Sequence, residues 1–82
     1  MSGRNLEEFK VVGARLARYR STRGLTQRAL AAKLNRPHSY VSKLEQAERR
    51  LDLVDLADLA TAFGTSPEAL VTVLLSDEAG EG

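Results

Sequence analysis

The stretch TQRALAAKLNRPHSYVSKLEQ, Thr26 to Gln46, decides the fold. Thr26 offers a side-chain oxygen as an N-cap, and Leu30, Ala31 and Leu34 form a short apolar stripe, which predicts a helix of about two turns. Asn35, Arg36 and Pro37 then read as a tight turn, because Asn tolerates the left-handed conformation and Pro37 suits the first position of a new helix. That helix runs to about Gln46. Its clear inward positions are Val41 and Leu44, three apart, so His38, Ser39, Ser42, Lys43 and Gln46 are left on an unusually open polar face.

Upstream, Leu6, Phe9, Val12, Leu16 and Tyr19 recur at helical spacing, with Gly13 and Ala17 as small neighbours, and predict one long first helix. Arg20 and Arg23 favour its C-terminal end, and Gly24 stops it. Downstream, Asp52 is the expected N-cap of a fourth helix carrying Leu53, Leu56, Leu59, Ala60 and Phe63 and ending at Gly64. Ser66, Pro67 and Glu68 state a fifth helix start, and Ala69 to Leu75 follow. No alternating strand pattern, internal repeat or low-complexity linker is present. The expected architecture is all-α, a compact five-helix domain over residues 6–75, with flexible ends at 1–5 and, acidic in character, at 76–82.

A chain of 82 residues and 9.0 kDa has room for one core. Its 43% hydrophobic and 28% charged residues fit a folded soluble domain. No apolar run approaches the ~18 residues of a membrane span, and Ser2, Gly3, Arg4 and Asn5 do not open a secretory signal, so no membrane partner and a cytoplasmic location are expected. With no Cys and one His there is no thiolate or multi-histidine metal site, and no cofactor or small-molecule ligand is evident. Asp52, Asp55 and Asp58 read as a solvated acidic face rather than as metal ligands. Ser2, Ser21 and Thr22 have no base beside them, so no catalytic residue is assigned and the chain is not read as an enzyme.

Charge is distributed with a sharp bias. Residues 1–50 hold all twelve Lys and Arg against four acids, Glu7, Glu8, Glu45 and Glu48, for a net +8. Residues 51–82 hold seven acids and no base, for a net −7. Such asymmetry suggests a basic face for a polyanion backed by an acidic end, or two halves that neutralise each other on packing.

A short helix, a tight turn and a second short helix with a polar outer side make a helix-turn-helix pattern. In that arrangement the second helix enters the ~12 Å major groove of duplex DNA and its N-terminal side chains reach base edges. Lys43 suits guanine O6 or N7, His38 donates or accepts according to its tautomer, and Ser39 and Ser42 are short, less selective readers. Arg36, Arg49 and Arg50 supply sequence-independent affinity for phosphates.

The run Gly24-Leu25-Thr26-Gln27, then Leu30-Ala31, Lys33-Leu34, Ser39 to Glu45, Ala60 and Phe63-Gly64, resembles the Cro and phage-repressor type of helix-turn-helix, often called XRE-like. The resemblance covers Val12 to about Val71. It implies a lambda-repressor-like, five-helix DNA-binding domain engaged in transcriptional control, commonly as a dimer on a palindromic operator. It also implies base-reading roles for His38, Ser39, Ser42 and Lys43, and backbone contacts from Gln27, Tyr40, Gln46, Arg49 and Arg50. Arg20 and Glu45 match a pair that joins helices one and three in that family, a structural brace rather than a site. Ala47 stands where the family carries glycine, so either the loop after helix three departs from the family's or that helix runs longer.

Helix five carries more apolar surface than one core stripe uses. With Leu70, Val73 and Leu74 inward, Val71 and Leu75 remain on a second face, and a homodimer interface is assigned to Val71, Leu74 and Leu75 unless the tail folds back over them. The resulting expectation is a sequence-specific DNA-binding regulator, of phage-repressor or restriction-modification-controller type. An antitoxin-type autoregulator or a protein-interaction adaptor on the same scaffold is the alternative.

Overall fold

Thr26 fixes the start of the decisive segment as its side chain suggests. Its Oγ1 accepts the Ala29 N–H at 3.0 Å, and α2 runs Gln27–Leu34. These helices belong to a computed structural model that describes residues 6–76, with side chains from residue 7. The flexible ends expected at 1–5 and 76–82 lie, apart from Ser76, outside the described residues, as does the inward placement expected of the Leu6 side chain.

The other helices are α1 (Leu6–Thr22), α3 (His38–Glu45), α4 (Leu53–Phe63) and α5 (Pro67–Leu75). Asn35 takes the left-handed conformation at φ 58° and closes α2, and Arg36 N–H reaches back to Ala31 O at 3.0 Å. Pro37 is the N-cap of α3 rather than its first helical residue, with ψ at 154°. Its fixed φ serves the turn, and its carbonyl accepts the Tyr40 N–H at 3.0 Å. Asp52 and Asp55 cap α4 reciprocally, each side chain accepting the other's backbone N–H, at 2.8 and 3.0 Å. Ser66 and Pro67 open α5 as expected, with Ser66 Oγ accepting the Ala69 N–H at 3.1 Å.

One core joins all five helices: Leu16 from α1, Leu30 and Ala31 from α2, Tyr40, Val41 and Leu44 from α3, Leu56, Leu59 and Ala60 from α4, and Leu70 and Leu74 from α5. Tyr19 and Phe63 meet edge to face with centroids 4.8 Å apart, tying α1 to α4. Gly13 lets α1 approach the end of α3 backbone to backbone, since a Cβ there would lie 2.4 Å from Glu45 O.

Four further expectations are corrected. Leu53 is 82% exposed rather than inward, because it occupies the first turn of α4, on the rim of an open groove. Asp55 is 1% exposed, so the three aspartates do not form one solvated face. Leu74, assigned to a dimer interface, is buried in its own chain's core. Ala47 neither extends α3 nor relaxes the loop; it takes the glycine conformation itself, at φ 61°.

Candidate nucleic-acid interface

The outer side of α3 is built by a narrow inner one. Tyr40, Val41 and Leu44 hold the helix to the core, and His38, Ser39, Lys43 and Gln46 are exposed, with Ser42 half-buried and its hydroxyl donating to Ser39 O at 3.2 Å. The Lys43 ammonium has no ion-pair partner among the described residues. An imidazole, two hydroxyls and an ammonium thus stand on one side of a helix two turns long, with the Gln46 amide at its C-cap.

Tyr40 is corrected from a phosphate contact to a core residue. Its ring is buried and its hydroxyl donates to Asp55 Oδ1. The guanidiniums of Arg36 and Arg49 lie against this ring, 4.7 and 5.1 Å from its centroid. The ring therefore orders two cations beside α3 instead of reaching for an anion. Arg49 Nη2 also bonds both Asp55 oxygens, at 3.0 and 3.3 Å, and its side chain remains 41% exposed. Arg50 turns away to the ring of Phe9 on α1, at 4.7 Å.

Electrostatics follow from this geometry. Burial raises the Asp55 carboxyl, but hydrogen bonds from the Asp52 N–H, Tyr40 and Arg49, with the Arg49 charge, outweigh it and hold Asp55 below the ordinary carboxylate range. Burial, then the hydrogen bond to Asp55 and that residue's charge, push the Tyr40 phenol up to about 12. Its hydrogen bond to Asp55 raises the Arg49 guanidinium further above its already high value.

A second network braces the front of the motif. Arg20 on α1 donates to Glu45 on α3, from Nε at 2.7 Å and Nη2 at 3.2 Å, and also to Leu25 O at 2.7 Å. Gln27 on α2 donates from Nε2 to Glu45 Oε1 at 2.8 Å, and its Oε1 meets His38 Nε2 at 3.1 Å. The first residue of α2 is thereby tied to both ends of α3.

The structure thus sets His38, Ser39, Ser42 and Lys43 on one helix and Gln46 at its C-cap, with Gln27 on the neighbouring helix and Arg36 and Arg49 flanking α3 at Tyr40. Asp55 was missed as a structural partner of this site. Its signal was the acid three residues after the Asp52 cap, which is a capping-box spacing. Val71 is half-buried against the core, whereas Leu75 is 47% exposed. Among the described residues no three His, Cys, Asp or Glu side chains are placed to hold a metal, and no helix is long and apolar enough to cross a membrane.

Residues 11–73 match the family described as helix-turn-helix domain. The chain is 40% identical over 63 residues to the HTH-type transcriptional regulator y4dJ of Sinorhizobium fredii, a match covering 77% of this chain and 82% of the relative. Among solved structures, an XRE-family like protein from Pseudomonas syringae pv. tomato superposes with a TM-score of 0.71 at 42% identity, covering 93% of this chain and 89% of that one. The restriction-modification controller protein C.AhdI of Aeromonas hydrophila gives a TM-score of 0.72 at 34% identity, covering 78% and 97%. With its two short helices, its turn and the family match spanning most of its length, the chain belongs to the XRE-like helix-turn-helix family of DNA-binding transcriptional regulators.

Proposed function

We propose that the protein is a sequence-specific regulator that seats α3 in the major groove of a palindromic operator and does so as a homodimer, with two copies of α3 about 34 Å apart. The observation that carries this reading is the polar outer side of α3, on which the Lys43 ammonium stands without an ion-pair partner among the described residues, with Arg36 and Arg49 held against Tyr40 of the same helix. In it His38, Ser39, Ser42 and Lys43 read base edges, and Arg36, Gln46 and Arg49 approach phosphates, joined by Arg50 once it leaves the Phe9 ring and by Gln27 through its backbone N–H, since its amide is engaged by Glu45 and His38. Arg49 remains in this set because its guanidinium is partly exposed even while paired with Asp55.

The likeness to a restriction-modification controller supports a DNA-binding regulator of that type working in the cytoplasm, in preference to an adaptor. Dimerisation through Val71 and Leu75 is supported by the apolar groove they line together with Phe9 and exposed Leu53. Selection of bound sequences from a random duplex pool tests the whole reading. Enrichment of a symmetric site with half-sites one helical turn apart is expected, and a pool that stays random would refute it. Analytical ultracentrifugation tests the pairing separately, and a chain that remains monomeric on DNA would remove the homodimer.

A further inference from the structure

The hydrogen-bond chain that ends on His38 determines where that ring carries its proton, a point that rests on the DNA-reading role given above. Its buried end is Glu45, whose side chain is 5% exposed and holds the guanidinium of Arg20. A carboxylate paired in this way accepts and does not donate. Gln27 must therefore turn its NH2 group to Glu45, and the 2.8 Å contact is Nε2 to Oε1. The amide oxygen is left on the other side, where it lies 3.1 Å from His38 Nε2. An amide oxygen has no proton to give, so the imidazole nitrogen facing it supplies one.

We propose that Gln27 is a positioning residue that holds His38 in the Nε2–H tautomer, and that His38 consequently selects a base presenting a donor. With the proton on Nε2, the neutral ring has only Nδ1 as an acceptor, and that atom has no hydrogen bond among the described residues. In the major groove the complementary donors are the N6 amino group of adenine and the N4 amino group of cytosine. Guanine N7 and O6 and thymine O4 are acceptors, and each would set a lone pair against a lone pair. The discrimination is roughly tenfold, the size of one hydrogen bond gained or lost at a desolvated contact.

Two measurements test this. Long-range proton–nitrogen correlation NMR of the free protein, at a pH about two units above the ordinary imidazole value of about 6.5, reports which ring nitrogen bears the proton. Nε2 is expected in the wild type. Gln27→Lys replaces the amide by a group that only donates and still pairs with Glu45, so His38 Nε2 becomes an acceptor and the proton moves to Nδ1. In selection from random duplexes, the wild type should enrich adenine or cytosine at one half-site position that His38→Ala leaves indifferent. Gln27→Lys should disfavour cytosine at that position and admit guanine or thymine by roughly tenfold, adenine staying tolerated through its N7 acceptor. The proposal is overturned by an Nδ1–H ring in the wild type, by an Nε2–H ring in Gln27→Lys, or by guanine and thymine staying excluded at that position after the proton has moved. If neither protein enriches any sequence, the DNA reading fails and base selection with it, while the spectra, recorded without DNA, still decide the tautomer.

Discussion

The Tyr40 hydroxyl on α3 donates to the buried carboxylate of Asp55 on α4, and the same carboxylate caps α4 and receives Arg49 from the loop between them. One acid thus fixes the loop, the helix below it and the helix that faces outward. Asp55→Ala leaves three donors, the Tyr40 hydroxyl, Arg49 and the Asp52 N–H, without their buried acceptor, and should cost about 3 kcal/mol of folding stability. Tyr40→Phe loses only the hydroxyl and should cost about 1 kcal/mol. Denaturant titration of the two variants checks the ranking, and a larger loss in Tyr40→Phe would contradict it.

The same pair makes stability sensitive to alkali. The folded phenol of Tyr40 titrates at about 12, above the roughly 10 of an unfolded tyrosine. A raised folded value means that the stabilisation is fully present below pH ~10 and is lost as pH rises from there toward the folded value. Ultraviolet titration should show a tyrosine that ionises only near that upper limit, and Tyr40→Phe should abolish the step. Asp55 has the opposite sign: its lowered carboxyl contributes stability above the unfolded value near 4 and loses it as pH falls through the folded one.

Ala47 holds a left-handed conformation, φ 61°, where a Cβ is unfavourable by roughly 1–2 kcal/mol. Glycine relieves that strain and returns part of the gain as extra freedom in the unfolded chain, so Ala47→Gly should stabilise by about 0.5–1 kcal/mol. Thermal unfolding measures it, and a lowered Tm would show that the loop does not need this conformation.

Gly13 is the opposite case. Any Cβ there meets the Glu45 carbonyl, which is backbone and cannot swing aside. Gly13→Ala should push α1 off α3 and destabilise by about 2 kcal/mol or more, despite alanine's better helix propensity. A stability equal to or above wild type would disprove the close approach.

Much of this was legible in the sequence because caps and apolar spacing are local signals. Thr26, Asp52, Ser66 and Gly64 sit where their side chains or lack of one predict. Misreadings arose where the answer depends on how far neighbouring elements extend. Helical spacing gives the direction of Leu53 around its axis but not that α4 begins at the rim of a groove. The phosphate contact expected of Tyr40 came from the family resemblance alone; the acceptor that holds its hydroxyl inward lies fifteen residues on, in another helix. The Gln27 to His38 contact spans eleven residues and is created by the turn itself.

Lys43 and Arg36 should part company on DNA. Lys43 stands on the outer side of α3 without an ion-pair partner, so its ammonium is available to a guanine edge. Lys43→Ala should cost about 1–3 kcal/mol on the selected site and relax one base preference, with a smaller loss on random duplex. Arg36 lies over the Tyr40 ring in the turn before α3, and in the proposed function it contacts a phosphate rather than a base. Arg36→Ala should weaken specific and random duplexes alike and lower the slope of log affinity against log salt by about 0.9. Arg36 is a cleaner probe than Arg49, whose loss would also strip Asp55 of a partner and confound binding with stability. Binding isotherms at several salt concentrations separate the two residues. Equal losses on both duplexes for Lys43→Ala would remove its base-reading role and leave it as one more phosphate contact.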